Sequence, residues 1–325
     1  MRTSGVVLGL CAMISLTLDA LGPRTPLGLD LYRPVPRENA LTPAKVALGR
    51  KLFHDRRLSR NGAMACASCH NPERAFTNGA RTARGASGST GTRNVPTLVN
   101  RAWGSSFFWD GRAATLEQQA LGPILNPDEL GATPDAVLAL ARTDQYRQEF
   151  VAAFGGEPTI VDVAGALASY MRTIVAGGAP YDRFVSGETD ALTGSARRGF
   201  VVFRTRARCT TCHAGPLLSD EGFHNTGVAW RDGTVVDEGR YGVTHSPADR
   251  GAFKTPTLRE IARTAPYMHD GSLPTLESVI EFYDGGGRAN PGLDREVRRL
   301  NLSPGDKKDL VTFLQALTGR IHDGM

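Results

Sequence analysis

Cys66-Ala67-Ser68-Cys69-His70 and Cys209-Thr210-Thr211-Cys212-His213 repeat one pattern, Cys-x-x-Cys-His, within a chain of 325 residues. Two thiols at this spacing can add to the two vinyl groups of one haem, and the next histidine can then bind its iron. Disulfides, which are common in exported proteins, would not explain a histidine directly after each pair. A zinc site would need four ligands gathered from two distant segments. The sequence therefore predicts two covalently bound haem c groups, with His70 and His213 as iron ligands.

Residues 1–20 have the pattern of a secretory signal peptide. Arg2 precedes an apolar stretch from Val6 to Leu18, and Ala20 supplies a small residue before the junction. The apolar stretch is shorter than the roughly 20 residues that span a bilayer, and no later segment is long and apolar enough. We therefore expect a periplasmic protein without a membrane span.

The positive charge of the chain does not indicate a nucleic acid partner. The net charge of +5 comes from basic residues that are scattered along the sequence. Nucleic-acid-binding proteins instead cluster such residues on one face or stripe. Haem propionates, which the composition leaves out, would also offset part of this charge.

Three signals after the first haem motif recur after the second at a constant offset of 160 residues. They are Pro96-Thr97-Leu98 with Pro256-Thr257-Leu258, Asp110-Gly111 with Asp270-Gly271, and Thr115-Leu116-Glu117 with Thr275-Leu276-Glu277. Before the motifs, Gly49-x-x-x-Phe53 matches Gly199-x-x-x-Phe203, as expected of a helix that packs an aromatic ring toward a porphyrin. A constant offset over separate signals indicates two copies of one structural unit.

Apolar periodicity predicts a mainly α fold. Helical spacing from Ile160 to Ile174 ends at Gly177-Gly178, and Ser303-Pro304 begins a final helix that ends at Gly319. No run of alternating strands is present. We place the domain boundary after Gly177, which gives a signal peptide (1–20), an N-terminal domain (21–177) and a C-terminal domain (178–325).

The two copies differ at one position that bears on iron chemistry. At the constant offset, Pro123 of the first copy corresponds to Tyr283 of the second. Single-haem cytochromes c supply their second iron ligand from this region, well after the haem-binding histidine. Proline has no donor atom, whereas a tyrosine phenolate can bind iron. We therefore predict an open coordination position on the first haem, suited to catalysis, and a closed one on the second, suited to electron transfer.

With these residues and several longer motifs, the sequence resembles the bacterial di-haem cytochrome c peroxidase and MauG family over nearly the whole mature chain. The shared motifs are the two haem segments, Phe108 to Arg112, Gln119 to Ile124, Asn126-Pro127 and Ala265 to Gly271. The resemblance implies two cytochrome c-like domains, with the peroxidatic haem in the first and the electron-transfer haem in the second. It also implies a calcium ion between them, bound in part by the Asn94 side chain and the carbonyls of Thr264 and Pro266.

The resemblance further implies catalytic roles around the first haem. It places Gln119 and Glu129 in the distal pocket beside Pro123, and Trp109 between the haems as an electron relay. A carboxylate near the iron can move a proton between the two peroxide oxygens, and this is the role expected of Glu129. Gln119 would orient peroxide by hydrogen bonding, although spacing alone does not separate it from Gln118.

Two residues late in the second copy have alternative interpretations. His269, which corresponds to Trp109, either supports the second haem by hydrogen bonding or is structural. Met268 could bind iron, but its counterpart is Phe108, which favours a packing role.

Two departures from the other peroxidases of the family favour its MauG-like branch. The loop 78–93 holds no histidine that could block the first iron, and Tyr283 stands where those enzymes commonly have methionine. A phenolate favours higher iron oxidation states than a thioether does. We therefore expect a peroxidase in which hydrogen peroxide produces a high-valent Fe(IV) di-haem state. This state would oxidise an aromatic residue, Trp by preference, of a partner protein by long-range electron transfer. The alternatives are a cytochrome c peroxidase that takes electrons from small redox proteins and a non-enzymatic di-haem electron carrier.

Overall fold

The computed structural model describes residues 25–324, and most of its regular structure is helical. The α-helices are α1 Pro43–His54, α2 Cys66–Cys69, α3 Leu116–Leu125, α4 Pro134–Ala141, α5 Asp144–Phe154, α6 Ile160–Thr173, α7 Pro180–Val185, α8 Gly194–Arg204, α9 Tyr241–Thr244, α10 Leu276–Asp284 and α11 Pro304–Gln315. The prediction of a mainly α fold is confirmed. The predicted signal peptide, 1–20, lies outside the described residues.

The strands in this part of the chain are short and form two-stranded antiparallel sheets. They are β1 Val175–Gly177 with β6 Arg320–His322, β2 Phe223–His224 with β5 Phe253–Lys254, and β3 Trp230–Arg231 with β4 Thr234–Val235. Between residues 25 and 324, no helix combines the length and apolarity needed to cross a membrane.

Side-chain caps determine where the longer helices begin. A threonine or serine before the first turn accepts a hydrogen bond from the backbone N–H three residues later, which satisfies a donor that the helix leaves free. Such caps include Thr42, Thr115, Thr159, Thr193, Thr275 and Ser303. The helices predicted from Ile160 and from Ser303-Pro304 are present as α6 and α11, but they end at Thr173 and Gln315, before the predicted ends at Gly177-Gly178 and Gly319.

Apolar side chains form two main cores. Helices α1 and α3 to α6 build the first, and α8, α10 and α11 build the second. The last strand returns to the first core, where Ile321 packs and where the Tyr170 hydroxyl donates to Asp323 Oδ2 at 2.7 Å. The domain boundary at Gly177 stays a prediction.

Gly49 and Gly199 permit two close helix crossings, of α1 with α6 and of α8 with α11. A Cβ on Gly49 would lie 1.9 Å from the Ala166 carbonyl oxygen, and one on Gly199 would lie 2.0 Å from the Asp309 carbonyl oxygen. Any larger residue would force these helices apart. The glycine of each Gly-x-x-x-Phe segment is therefore explained by helix packing.

The same tight turn precedes both α3 and α10. Phe108 and Met268 adopt φ values of 67° and 72°, and an isolated β-bridge closes each turn. A left-handed conformation is uncommon for residues other than glycine, so its recurrence at equivalent positions is a specific likeness. Each turn brings its next residue, Trp109 or His269, to one shared cavity.

Candidate haem-binding active site

A cavity of about 780 Å³ lies beside both Cys-x-x-Cys-His motifs. Its wall includes all four motif cysteines and both motif histidines: Cys66, Cys69, His70, Cys209, Cys212 and His213. The four cysteines form no disulfide among the described residues. The fold therefore brings two complete motifs to one apolar interior space, with their thiols free.

Both histidine side chains are held in the same way. The Nδ1 atom of His70 lies 3.0 Å from the Phe76 carbonyl oxygen, and that of His213 lies 2.9 Å from the Leu218 carbonyl oxygen. Burial lowers the pKa of both imidazoles, which favours the neutral ring. If Nδ1 carries the proton and donates it to the carbonyl, the Nε2 lone pair is available to a metal.

Helix α3 presents Gln119 and Pro123 to the cavity. The Gln119 Oε1 atom is buried and has no hydrogen-bond partner in the described structure. Gln118 instead points to solvent, where its Oε1 accepts a hydrogen bond from the Ala114 N–H at 2.9 Å. Of the two glutamines that spacing left open, Gln119 is the one that the fold directs inward. An unsatisfied buried amide oxygen indicates a polar group that binds there.

Glu129 also lines the cavity, on the segment that follows α3. The Asn126 amide donates to Glu129 Oε1 at 2.9 Å, which fixes the carboxylate direction. The Ala86 N–H donates to the Glu129 carbonyl oxygen at 2.7 Å and ties this segment to the preceding loop. The predicted distal residues thus share one wall with the first motif.

Helix α10 presents Tyr283 to the cavity, where the second motif also lies. Burial raises the pKa of the Tyr283 hydroxyl, and the neighbouring cysteine sulfurs raise it further. An anionic phenolate at this position therefore needs a cation beside it, and an iron ion would provide one.

Trp109 lies where the two halves meet. Its Nε1–H donates to the Asn94 carbonyl oxygen at 2.8 Å, and the Asn94 N–H donates to the His269 carbonyl oxygen at 2.6 Å. The Lys254 N–H donates to the Trp109 carbonyl oxygen at 2.8 Å. Hydrogen bonds from both halves therefore fix the indole in a wall that both haem motifs share.

The His269 ring is 5% exposed and stacks on Phe253, with centroids 3.5 Å apart and planes 8° from parallel. Burial lowers the pKa of His269 to about 4, so the ring is neutral near pH 7. A neutral ring in this stack can support a cofactor through a ring nitrogen, and the stacking fixes its plane.

Asn94, Thr264 and Pro266 lie along the same cavity. The Asn94 amide nitrogen donates to the carbonyl oxygens of Ala80 and Arg81 at 3.0 and 3.3 Å. Its Oδ1 and the carbonyl oxygens of Thr264 and Pro266 accept no hydrogen bond from the residues described. Amide and backbone oxygens without donors suit a hard cation such as calcium.

The model of the Di-haem cytochrome c peroxidase family matches residues 43–190. The methylamine utilization protein MauG of Methylorubrum extorquens is 42% identical over 287 residues, which cover 87% of this chain and 81% of that protein. The chain belongs to the di-haem cytochrome c peroxidase and MauG family. The family prediction is thereby confirmed, and the protein is a haem-dependent peroxidase that acts on hydrogen peroxide.

Other similar proteins include one named as a cytochrome-c peroxidase and one described as MauG-like. The cytochrome-c peroxidase IdrP1 of Denitromonas iodatirespirans is 36% identical over 340 residues, covering 93% of this chain and 88% of that protein. The crystal structure of a MauG-like protein associated with microbial copper homeostasis has a TM-score of 0.82 at 35% identity, covering 90% of this chain and 95% of that one.

The residues present fit the two haem c groups of a di-haem peroxidase. Each motif offers two thiols and an imidazole whose Nδ1 already has a partner. The cavity beside them is large and mostly apolar, and the buried Gln119 oxygen inside it lacks a partner among the described residues.

Membership of this family also affects how a second group of side chains, a possible metal site, is interpreted. Side-chain atoms of Cys212, Asp220 and His224 lie within 4.8 Å of one another, a geometry that could hold a metal ion. Cys212 belongs to a Cys-x-x-Cys-His motif, so a haem c group would use its sulfur for a thioether bond. His224 is instead held between Asp294 and Asp220, at 2.6 and 2.9 Å.

Sequence reasoning was wrong about one aromatic residue of this di-haem peroxidase. Phe53 lines the cavity as expected. Phe203 packs against Phe313, with ring centroids 5.1 Å apart, because α11 covers that face of α8. Sequence reasoning also missed the role of Asn126, although its spacing of three residues before Glu129 could have suggested a contact.

Proposed function

We propose that this peroxidase is MauG-like: hydrogen peroxide is reduced at the first haem, and the electrons come from an aromatic side chain, Trp by preference, of a partner protein. The observation that carries the proposal is the pair Pro123 and Tyr283. Each is the eighth residue of its helix, α3 or α10, and each lines the shared cavity. The first haem would then bind His70 alone, and the second would bind both His213 and Tyr283.

The equivalent positions around these two residues support this asymmetry. Gln119 on α3 corresponds to Val279 on α10, and both line the cavity. Glu129 corresponds to Ala289. The first half therefore keeps hydrogen-bonding and proton-transfer groups, while the second half has apolar side chains at those positions. We also infer from the recurring turns, caps and crossings that the halves are two cytochrome c-like domains related by duplication.

Peroxide reduction consumes two electrons and two protons and releases two water molecules. The haem iron, when bound, supplies the site where the oxygen–oxygen bond breaks. The Glu129 carboxylate, held by Asn126, takes a proton from the near peroxide oxygen and delivers one to the far oxygen. The Gln119 amide fixes the orientation of the peroxide by hydrogen bonding.

Trp109 would carry electrons between the halves. Its indole lies in the wall shared by both motifs, and hydrogen bonds at Nε1 and at its carbonyl hold it in place. A folded partner protein cannot enter the cavity, so its oxidation has to proceed by electron transfer over a distance. In the same proposal, His269 supports the second haem through a ring nitrogen.

A calcium ion would join the two halves near Trp109. The free Oδ1 of Asn94 and the carbonyl oxygens of Thr264 and Pro266 support this assignment. We also propose that residues 1–20 direct export to the periplasm, where c-type haem proteins of this kind would meet a partner.

The decisive experiment adds one equivalent of peroxide to the fully oxidised protein and follows both haem absorption bands. We expect immediate reaction without prior reduction, because the loop 78–93 contains no histidine that could bind the first iron. A protein that stays inert until it has received one electron would refute the proposal. A Tyr283→Met variant tests the choice of branch, since we expect it to gain turnover with a reduced single-haem cytochrome c.

A further inference from the structure

Two reciprocal backbone hydrogen bonds connect the halves of the molecule. The Asn94 N–H donates to the His269 carbonyl oxygen at 2.6 Å. The Lys254 N–H donates to the Trp109 carbonyl oxygen at 2.8 Å. At the offset of 160 residues, Asn94 corresponds to Lys254, and Trp109 corresponds to His269 in the same way. Each half therefore contacts the other through the same two positions, which is the pattern of a twofold axis within one chain.

The side chains at positions 94 and 254 carry different groups. In the proposed function, the Asn94 amide oxygen binds calcium together with the carbonyl oxygens of Thr264 and Pro266. The same offset relates Pro266 to Ser106 of the first half. The place equivalent to the calcium site therefore lies between Lys254 and Ser106.

The amino group of Lys254 lies in this equivalent place. Its Nζ atom donates to Ser106 Oγ at 3.3 Å and to the Glu221 carbonyl oxygen at 3.0 Å, and it lies 2.6 Å from Glu221 Oε2. The residue is 7% exposed. An ammonium group has three N–H donors, and each has an acceptor here within the chain. None is left over for a haem propionate, although Lys254 lines the cavity.

Glu221 provides the negative charge of this cluster. Its carboxylate accepts two hydrogen bonds from Arg101, at 3.0 and 2.9 Å, and one from the Ser105 N–H at 2.9 Å. Burial alone would raise the pKa of Glu221, but Arg101 and Lys254 hold that pKa below its ordinary value. Burial lowers the pKa of Lys254, and Glu221 opposes this shift. Glu221 is therefore ionised near pH 7 and needs cations beside it.

We infer that Lys254 is a built-in cation, which holds in the second half the position that calcium holds in the first. The inference rests on the proposed function, because the calcium ion is part of it. The wall between the haem motifs would then contain one exchangeable cation and one that belongs to the chain. Lys254 is a positioning residue, since its side chain fixes the backbone N–H that holds Trp109.

Replacing Lys254 by asparagine should convert the built-in site into an exchangeable one. The variant loses the ammonium group and gains an amide oxygen. The Glu221 carboxylate, the Glu221 carbonyl and the Ser106 hydroxyl remain, and oxygen donors of these kinds suit calcium.

The test counts calcium ions per haem-loaded chain after equilibration with about 1 mM calcium, a concentration that fills extracellular calcium modules. We expect Lys254→Asn to hold one ion more than the unmodified protein. Lys254→Met supplies no oxygen and should show no gain. The matched control is Lys45→Asn, because Lys45 is also buried and donates to an oxygen, Asn39 Oδ1 at 3.0 Å, but lies on α1 outside the cavity wall.

Electron exchange between the haems of the half-reduced protein tests the positioning role. In the same calcium solution, the exchange should be slower in Lys254→Met than in the unmodified protein. It should return to nearly the unmodified rate in Lys254→Asn, because a calcium ion replaces the missing ammonium. A residue that served only for packing would show no such rescue.

The reverse exchange is Asn94→Lys, which places an ammonium group in the first half. It should hold one calcium ion fewer, yet keep the absorption spectrum of the calcium-loaded protein, whereas Asn94→Ala should have the spectrum that a chelator produces. This pair decides the matter if Lys254→Asn does not load both haems.

Three results would overturn the inference: no gain of calcium in Lys254→Asn, an equal gain in Lys45→Asn, or equal spectra of the two Asn94 variants. An unmodified protein without calcium would instead refute the calcium assignment of the proposed function. The gain in Lys254→Asn is counted relative to the unmodified protein, so it would remain readable in that case.

Discussion

The two halves of this peroxidase agree on the histidine side of each haem and differ on the opposite side. Each motif histidine has its Nδ1 against a backbone carbonyl, and each half has a threonine-capped helix after the same left-handed turn. On the opposite side, Pro123 and Gln119 face the cavity from α3, while Tyr283 and Val279 face it from α10. Under the proposed function, one scaffold would yield an open or a closed iron through changes in a few side chains on one helix face.

Removing the carboxylate of the first half should have the largest effect. Glu129→Gln keeps the shape and the Asn126 contact but cannot take up a proton. We expect the rate of reaction with peroxide to fall about a thousandfold, within the range of general acid–base catalysis. An exposed carboxylate outside the cavity provides the control, since Asp135→Asn on α4 should change the rate little. Stopped-flow absorption measures both, and an unchanged rate in Glu129→Gln would favour the electron-carrier alternative.

Making the first half resemble the second should have the next largest effect. Pro123→His places a nitrogen donor where the first iron is predicted to be open. We expect a change to a low-spin first haem and a loss of peroxide reactivity of about a hundredfold, because a catalytic metal needs a free position. Pro127→His, at an exposed position nearby, serves as the control. A first haem that stays high-spin in Pro123→His would contradict the equivalence of Pro123 and Tyr283.

The two adjacent glutamines give a smaller and more specific test. Gln119→Leu removes a buried amide that faces the cavity, and we expect about a tenfold slower reaction with peroxide, the cost of one lost hydrogen bond. Gln118→Leu changes a residue of the same type that points to solvent and should react nearly as the unmodified protein does. Stopped-flow rates measure the difference. Equal rates in both variants would remove Gln119 from the active site.

The helix crossings should respond alike in both halves. Gly49→Ala and Gly199→Ala each place a Cβ about 2 Å from a carbonyl oxygen. We expect each to lower the free energy of unfolding by about 2 kcal/mol, as overpacked cores do. Gly242→Ala is the control, because a Cβ there meets nothing within 4 Å. Denaturant titration of the haem-loaded variants checks this, and a large loss in one half alone would argue against equivalent crossings.

Local patterns made part of this structure predictable. The haem motifs, the starts of α6 and α11, and the Pro123 to Tyr283 offset are all read from residues close together in sequence or from a constant spacing. Gln119 could not be separated from Gln118 in this way, because the choice depends on how α3 is rotated against the core. The carbonyl partners of the histidines and the packing of Phe203 on Phe313 also depend on tertiary contacts.

We propose that the two irons differ in coordination, and electron paramagnetic resonance of the fully oxidised holoenzyme tests this difference. We expect two ferric signals of equal amount, a high-spin signal from the first haem and a low-spin signal from the second. Replacing Tyr283 should alter the low-spin signal alone. Two low-spin haems, each with nitrogen or sulfur ligands on both sides, would contradict the proposed difference between the irons.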